Sequence, residues 1–200
     1  AGQPIWKQRV EDHPLAYITA APTLYDGRLY VGVASREETA TSPGYDCCTF
    51  RGSVVALDAQ IGKLIWKTYT IADAPKPTVD DAPGSGHKLW GPSGGSVWGA
   101  PTVDPKAHAV YVGTGNDYTG PEPKTTEAVM AFDMGDGHVL WSQQTHKDDV
   151  GFAPCATPQE PMKCKHGPDY DFGSSPVLLD LPGGKRILRT GQKSGVIHGM

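Results

Sequence analysis

Two hundred residues with a formal net charge of −4 suffice for one or two ordinary domains, and no basic run interleaved with aromatics points to nucleic acid. No apolar stretch approaches the roughly 20 residues of a membrane span, and the opening "AGQPIWKQRV" lacks the charged-then-apolar pattern of a leader, so any leader is expected to have been removed or to lie upstream. Gly (25) and Pro (18) exceed a fifth of the chain, yet 38% of the residues are apolar and fall in regular runs; this argues against disorder and for many short strands joined by tight turns.

In chain order, "AGQPIW" ends at Trp6 with Gly2 four residues before it. "APTLYDGRLYVG" (21–32) then reads as strand, Asp-Gly turn, strand. Adjacent cysteines follow at Cys47 and Cys48. They are too close for the C-x-x-C spacing of a metal site, so they either close on each other or pair elsewhere. "ALDAQIGKLIW" gives two strands around a turn and ends at Trp66, four residues after Gly62. The stretch 70–95 is rich in Pro, Gly and Asp and reads as a lid or a long surface loop. "APTVDPKAHAVYVG" (100–113) repeats the first strand pair, and "AFDMGDGHVLW" repeats the second, ending at Trp141 four residues after Gly137. Cys155 and Cys164 lie nine apart in another loop. "SPVLLDLPGGKRILRTG" (175–191) opens the same pattern a third time.

No segment holds a helical period over three turns. Four short antiparallel strands repeated in tandem are the signature of a β-propeller, an all-β fold whose blades stack radially. The recurring tryptophan is expected to end each outer strand and pack on the next blade. The chain is expected to hold roughly three blades over 1–200, with both ends inside a blade. An even cysteine count in a loop-rich chain favours disulfides and an oxidising compartment, periplasmic or extracellular.

The G-x-x-x-W ending of each unit, together with "CCTFRGSVVALDA", "GPDYDFGSSP" and "GQKSG", resembles the tryptophan-docking repeat of the eight-bladed quinoprotein alcohol dehydrogenases. Within them it resembles the branch of the polyvinyl alcohol dehydrogenases. These enzymes use pyrroloquinoline quinone (PQQ) and a divalent ion, usually calcium. The resemblance implies a cofactor-binding set of Thr19, Ser35, Arg36, Ser96, Trp98 and Lys193. It implies metal ligands at Glu37, Asn116 and Asp171, with Asp171 also the catalytic base. Thr19 to Glu37 and Trp98 to Asn116 are each 18 residues apart, the family's own interval. The residue types suit that chemistry, with an indole face for a flat quinone, hydroxyl and cationic donors for its carboxylates and oxygen ligands for a hard ion. Hydride would pass from an alcohol, secondary or polymeric, to the ion-bound quinone. Gly173 stands where lanthanide-using relatives carry a further acid, which favours calcium or else magnesium. No C-x-x-C-H motif occurs, so a cytochrome c or other electron acceptor lies outside this chain.

Each residue also has a plainer reading: Glu37 as a loop charge beside Glu38, Trp98 as packing, Asn116 as a turn residue, Asp171 or its neighbour Asp169 as a solvated carboxylate, Lys193 as a surface lysine. The joint pattern carries the assignment. A non-catalytic propeller scaffold, as in outer-membrane assembly, is the alternative; it would keep the Trp and Gly but has no use for the acids. In the family a vicinal disulfide covers the cofactor from an earlier blade. Here the pair follows Glu37 by ten residues, so its place relative to the cofactor stays open, as does cross-pairing with Cys155 or Cys164. The histidines, His13, His146 and His166 among them, show no metal spacing.

Overall fold

The computed structural model describes residues 2–39, 45–81, 88–151 and 167–200; Cys155, Cys164 and His166 lie outside them. The first sheet runs β1 (Ala16–Tyr17) and β2 (Thr23–Tyr25), both against β3 (Arg28–Ser35), then β4 (Ser53–Asp58) and β5 (Leu64–Tyr69), all antiparallel. Asp26 and Gly27 join β2 to β3 with φ of 46° and 72°, the left-handed pair of a two-residue hairpin turn. The insertion holds a hairpin, β6 (Lys76–Asp81) and β7 (Lys88–Gly91). The second sheet is β8 (Thr102–Asp104), β9 (Ala109–Gly113), β10 (Ala128–Asp133) and β11 (Val139–Gln144), in sequential order. The third is β12 (Val177–Asp180), β13 (Arg186–Gly191) and β14 (Ile197–Gly199).

These are propeller blades, and their middle strands explain the stacking. In "SVVALD" and "AVMAFD" the first five residues are buried on both faces, because alternate side chains point to opposite neighbours. Val54, Ala56, Met130 and Phe132 share one core between the first two sheets, with Tyr30, Trp66 and Val112. Val129 and Ala131 turn the other way and meet Phe172 and Leu188. Val55 and Leu57 meet Cys48 and Phe50.

Tryptophan docking occurs as expected. Trp6 lies flat on Gly62 and its Nε1 donates to Ala59 O at 3.2 Å; a Cβ on Gly62 would stand 2.5 Å from the indole. Trp66 does the same on Gly137 of the next blade, donating to Met134 O at 3.2 Å. Both glycines also hold positive φ, 70° and 79°. The insertion is not a structureless loop: Trp90 N donates to Cys47 O at 2.8 Å, and Gly94 exchanges hydrogen bonds with Phe50 and Gly52. Backbone pairing fastens it to the cysteine loop. Among the described residues no helix is long and apolar enough to cross a membrane.

Candidate active site

Asp171 is almost fully buried. Its Oδ1 accepts the Asn116 N–H at 2.8 Å, and its Oδ2 accepts from Lys193 Nζ at 2.7 Å. Lys193 also reaches both oxygens of Asp169, at 2.8 and 2.9 Å, and lies 5.1 Å from the centre of the Trp98 ring. Asp149 clamps this loop from below: its carboxylate accepts the N–H groups of Asp169 and Tyr170 at 3.0 and 2.7 Å. Gly115 and Gly173 leave room for the arrangement, since a Cβ on either would come within 2.9 Å of Asp171 Oδ1 or of the Trp98 rim. Thr19 donates to Trp98 O at 3.2 Å, tying the first blade to the indole. Ser96 bonds the hydroxyl of fully buried Tyr118 at 2.8 Å. The amide nitrogen of Asn116 donates to Gly151 O at 2.9 Å.

The structure thus gathers Asp171, Lys193, Asn116, Trp98 and Thr19, with Ser96 alongside. The segment 35–37 makes its own hydrogen bonds outside that group. Ser35 Oγ accepts the Glu37 N–H, and Arg36 stacks on Tyr17 with its guanidinium 5.2 Å from the ring centre. Glu37 is fully buried, but its carboxylate serves the cysteine loop: it accepts from Tyr45 Oη at 2.7 Å, Thr49 N at 2.8 Å and Phe50 N at 2.7 Å, with His13 Nε2 at 3.4 Å. Burial alone would raise its pKa, yet these donors hold it below the usual carboxylate value. Cys47 and Cys48 are bonded to each other and buried beside Glu37, which excludes their cross-pairing with Cys155 or Cys164.

Two acids that the sequence pattern does not single out belong to the Asp171 cluster. Glu38 is pushed up to about 7, first by burial and then by the charges of Asp171 and Asp169. Glu127 is fully buried at the start of β10 with φ of 49°, and its Oε1 has no hydrogen-bond partner. Its pKa is raised by burial and by the charges of Asp171 and Asp149, while its Oε2 accepts from Gln192 Nε2 at 3.5 Å. Asp171 is raised too: burial and Asp169 outweigh the opposing Lys193. Lys193 is itself raised, because Asp169 and Asp171 overcome its own burial. Among the described residues, Lys193 is the cation that pairs with Asp169 and Asp171 and that lowers Glu38. Buried acids crowded this way lack a positive charge, and an oxygen-ligated divalent ion fits the deficit.

A family model described as the PQQ-type "Glucose/ethanol/alcohol dehydrogenase, beta-propeller domain" matches residues 6–162. The chain is 42% identical over its full length to a polyvinylalcohol dehydrogenase of a Pseudomonas species and 39% identical to one from a Sphingopyxis species. In each case it spans 31% of the relative's length. A quinohemoprotein alcohol dehydrogenase of Pseudomonas putida shares the fold, with a TM-score of 0.67 at 23% identity, over 100% of this chain and 28% of that one.

Proposed function

We propose, for a chain that belongs to the β-propeller family of the PQQ-dependent glucose, ethanol and alcohol dehydrogenases, that it supplies the proton-accepting and ion-holding wall of an alcohol-oxidising site. The acid cluster around Asp171 beneath the Trp98 face supports this reading most strongly. When bound, PQQ supplies the electron acceptor for carbinol oxidation, and the ion supplies Lewis-acid polarisation beside it.

The chain's own residues then divide the work. Trp98 offers the flat face against a planar ring, held through its carbonyl by Thr19. Lys193 carries the cationic donors over that face. Asp171 takes the alcohol proton, a role worth about 10²–10⁴-fold in rate. Asn116 anchors Asp171 through its N–H and presents its amide oxygen to the ion. Of the two adjacent glutamates, Glu38 completes the cation site, because the charge of Asp171 acts on it while the Glu37 carboxylate accepts from Tyr45, Thr49 and Phe50 of the cysteine loop. Calcium or magnesium suits these hard ligands.

The relatives' names support a secondary or polymeric alcohol such as polyvinyl alcohol as substrate. A relative acting on lupanine is named with cytochrome c, and a cytochrome c-type acceptor on another chain fits here. The buried Cys47–Cys48 bond supports a periplasmic or extracellular location. A pure scaffold would gain nothing from a buried carboxylate with one oxygen, Glu127 Oε1, left without a hydrogen bond, which costs stability. Reconstituting the full-length protein with PQQ and calcium and following dye-linked oxidation of a secondary alcohol and of polyvinyl alcohol tests the reading. Oxidation that disappears on chelation is expected. No turnover with either substrate in a protein that retains PQQ contradicts the enzyme reading.

A further inference from the structure

The turn joining β10 to β11 is more elaborate than the fold requires. Its counterpart between β4 and β5 shows the minimum. There Asp58 Oδ1 accepts the N–H groups of Gln60 and Ile61 at 2.8 and 3.0 Å, and Gly62 takes the left-handed conformation under Trp6. In the second blade Asp133 Oδ1 accepts from Gly135 and Asp136 at 2.7 and 3.2 Å, and Gly137 lies under Trp66. The remaining positions differ. Asp136 replaces Ile61 and His138 replaces Lys63. Facing them, His108 replaces Gly27: each precedes the second strand of its blade, Gly27 O accepting Ala59 N and His108 O accepting Met134 N. His108 holds φ of 53° where the first blade uses glycine. Turn folding accounts for Asp133, for Gly137 and for one oxygen of Asp136, which accepts the His138 N–H at 3.0 Å, but not for the two imidazoles.

Asp133, Asp136 and His138 converge, with His108 beside Asp133. One ligand atom from each of Asp133, Asp136 and His138 lies within 4.8 Å of the others. His138 Nδ1 is 2.7 Å from Asp136 Oδ1, and His108 Nε2 is 3.9 Å from Asp133 Oδ1. A tetrahedral ion with bonds of about 2.0–2.1 Å needs donor atoms about 3.3 Å apart. His108, Asp136 and His138 are well exposed, so they can close that gap without crowding. We propose that Asp133, Asp136, His138 and His108 form a metal site separate from the active-site acids, selective for a borderline divalent ion such as zinc, whose preferred donors are imidazole nitrogen and carboxylate oxygen. Arg28 opposes it with one positive charge, from a guanidinium that donates to Met134 O and Gly135 O at 2.7 and 3.3 Å. An occupied site braces the platform on which Trp66 docks, and so the joint between two blades.

The test is calorimetric titration of the full chain with zinc, in excess calcium so that the acid cluster is already filled. Wild type is expected to bind one zinc ion more than the His108→Ala/His138→Ala variant. Asp136→Asn should weaken that site by more than the about 10–100-fold that loss of an outer partner costs. Zinc should raise the melting temperature of wild type but not of the double variant. Copper(II), taken by the same donors, should quench Trp66 fluorescence in wild type alone. Equal zinc stoichiometry and affinity in wild type and double variant overturn the proposal. Because His108 holds φ of 53°, His138→Ala alone, at an exposed side chain, is titrated beside the double variant, and zinc binding unchanged in both overturns the proposal.

Discussion

Glu37 and Asp171 are both buried carboxylates, and their surroundings could hardly differ more. Glu37 sits among donors: a tyrosine hydroxyl, two backbone N–H groups and an imidazole face it, and its pKa falls. Asp171 shares Lys193 with Asp169, its charge raises Glu38 and Glu127, and its own pKa rises through burial despite Lys193. An acid whose lone pairs are filled by protein donors holds structure together. An acid kept beside other acids remains available for an ion or a proton.

Replacements should separate the two regions by what they damage. Asp171→Asn in the full-length holoenzyme should lower turnover by about 10²–10⁴-fold while leaving thermal stability near wild type; loss of stability with retained turnover would exchange the two roles. Glu37→Ala should do the reverse, costing about 3 kcal/mol in denaturant unfolding because the buried N–H of Phe50 and the part-buried N–H of Thr49 lose their acceptor. Tyr45→Phe removes one hydrogen bond to the same carboxylate and should cost about 1.5 kcal/mol, with turnover unchanged.

The pH response sharpens the contrast at smaller amplitude. The folded pKa of Glu37 lies below its usual 4.5, so its stabilisation is complete above 4.5 and is lost as pH falls through the lower folded value. Glu38 is raised from 4.5 to about 7, so between those values the folded chain holds a proton that the unfolded chain releases. Its contribution therefore declines as pH rises from about 4.5 to about 7. Unfolding in a chelator across that range should show the decline in wild type and not in Glu38→Gln. An unchanged profile in the variant would remove Glu38 from the cluster.

Much of this is legible in the sequence. The blade repeat follows from strand periods of two and from Gly-to-Trp intervals, both local features, and Trp6 and Trp66 dock as that spacing requires. Asp171, Lys193, Asn116, Trp98 and Thr19 are singled out by the family resemblance rather than by the residues alone, and the structure brings them together. The choice between Glu37 and Glu38 is not legible, because neighbours in the 3₁₀ turn Glu37–Thr39 point about 120° apart. Only the three-dimensional position of the cysteine loop decides which one it captures. Glu127 escapes notice because its burial depends on loops about 45 and 65 residues further on; the one signal is an acid opening the continuous apolar run "EAVMAF". The insertion 70–95 hides its hairpin because prolines mask strand patterns.

The most direct test of two carboxylate environments in one site wall is calcium titration of the full-length protein as wild type, Glu37→Gln, Glu38→Gln and Asp171→Asn, each shown to be folded by circular dichroism. Calcium binding should persist in Glu37→Gln, collapse in Glu38→Gln, and be weakened in Asp171→Asn to a level that excess calcium restores. Binding lost in Glu37→Gln but intact in Glu38→Gln would contradict the account.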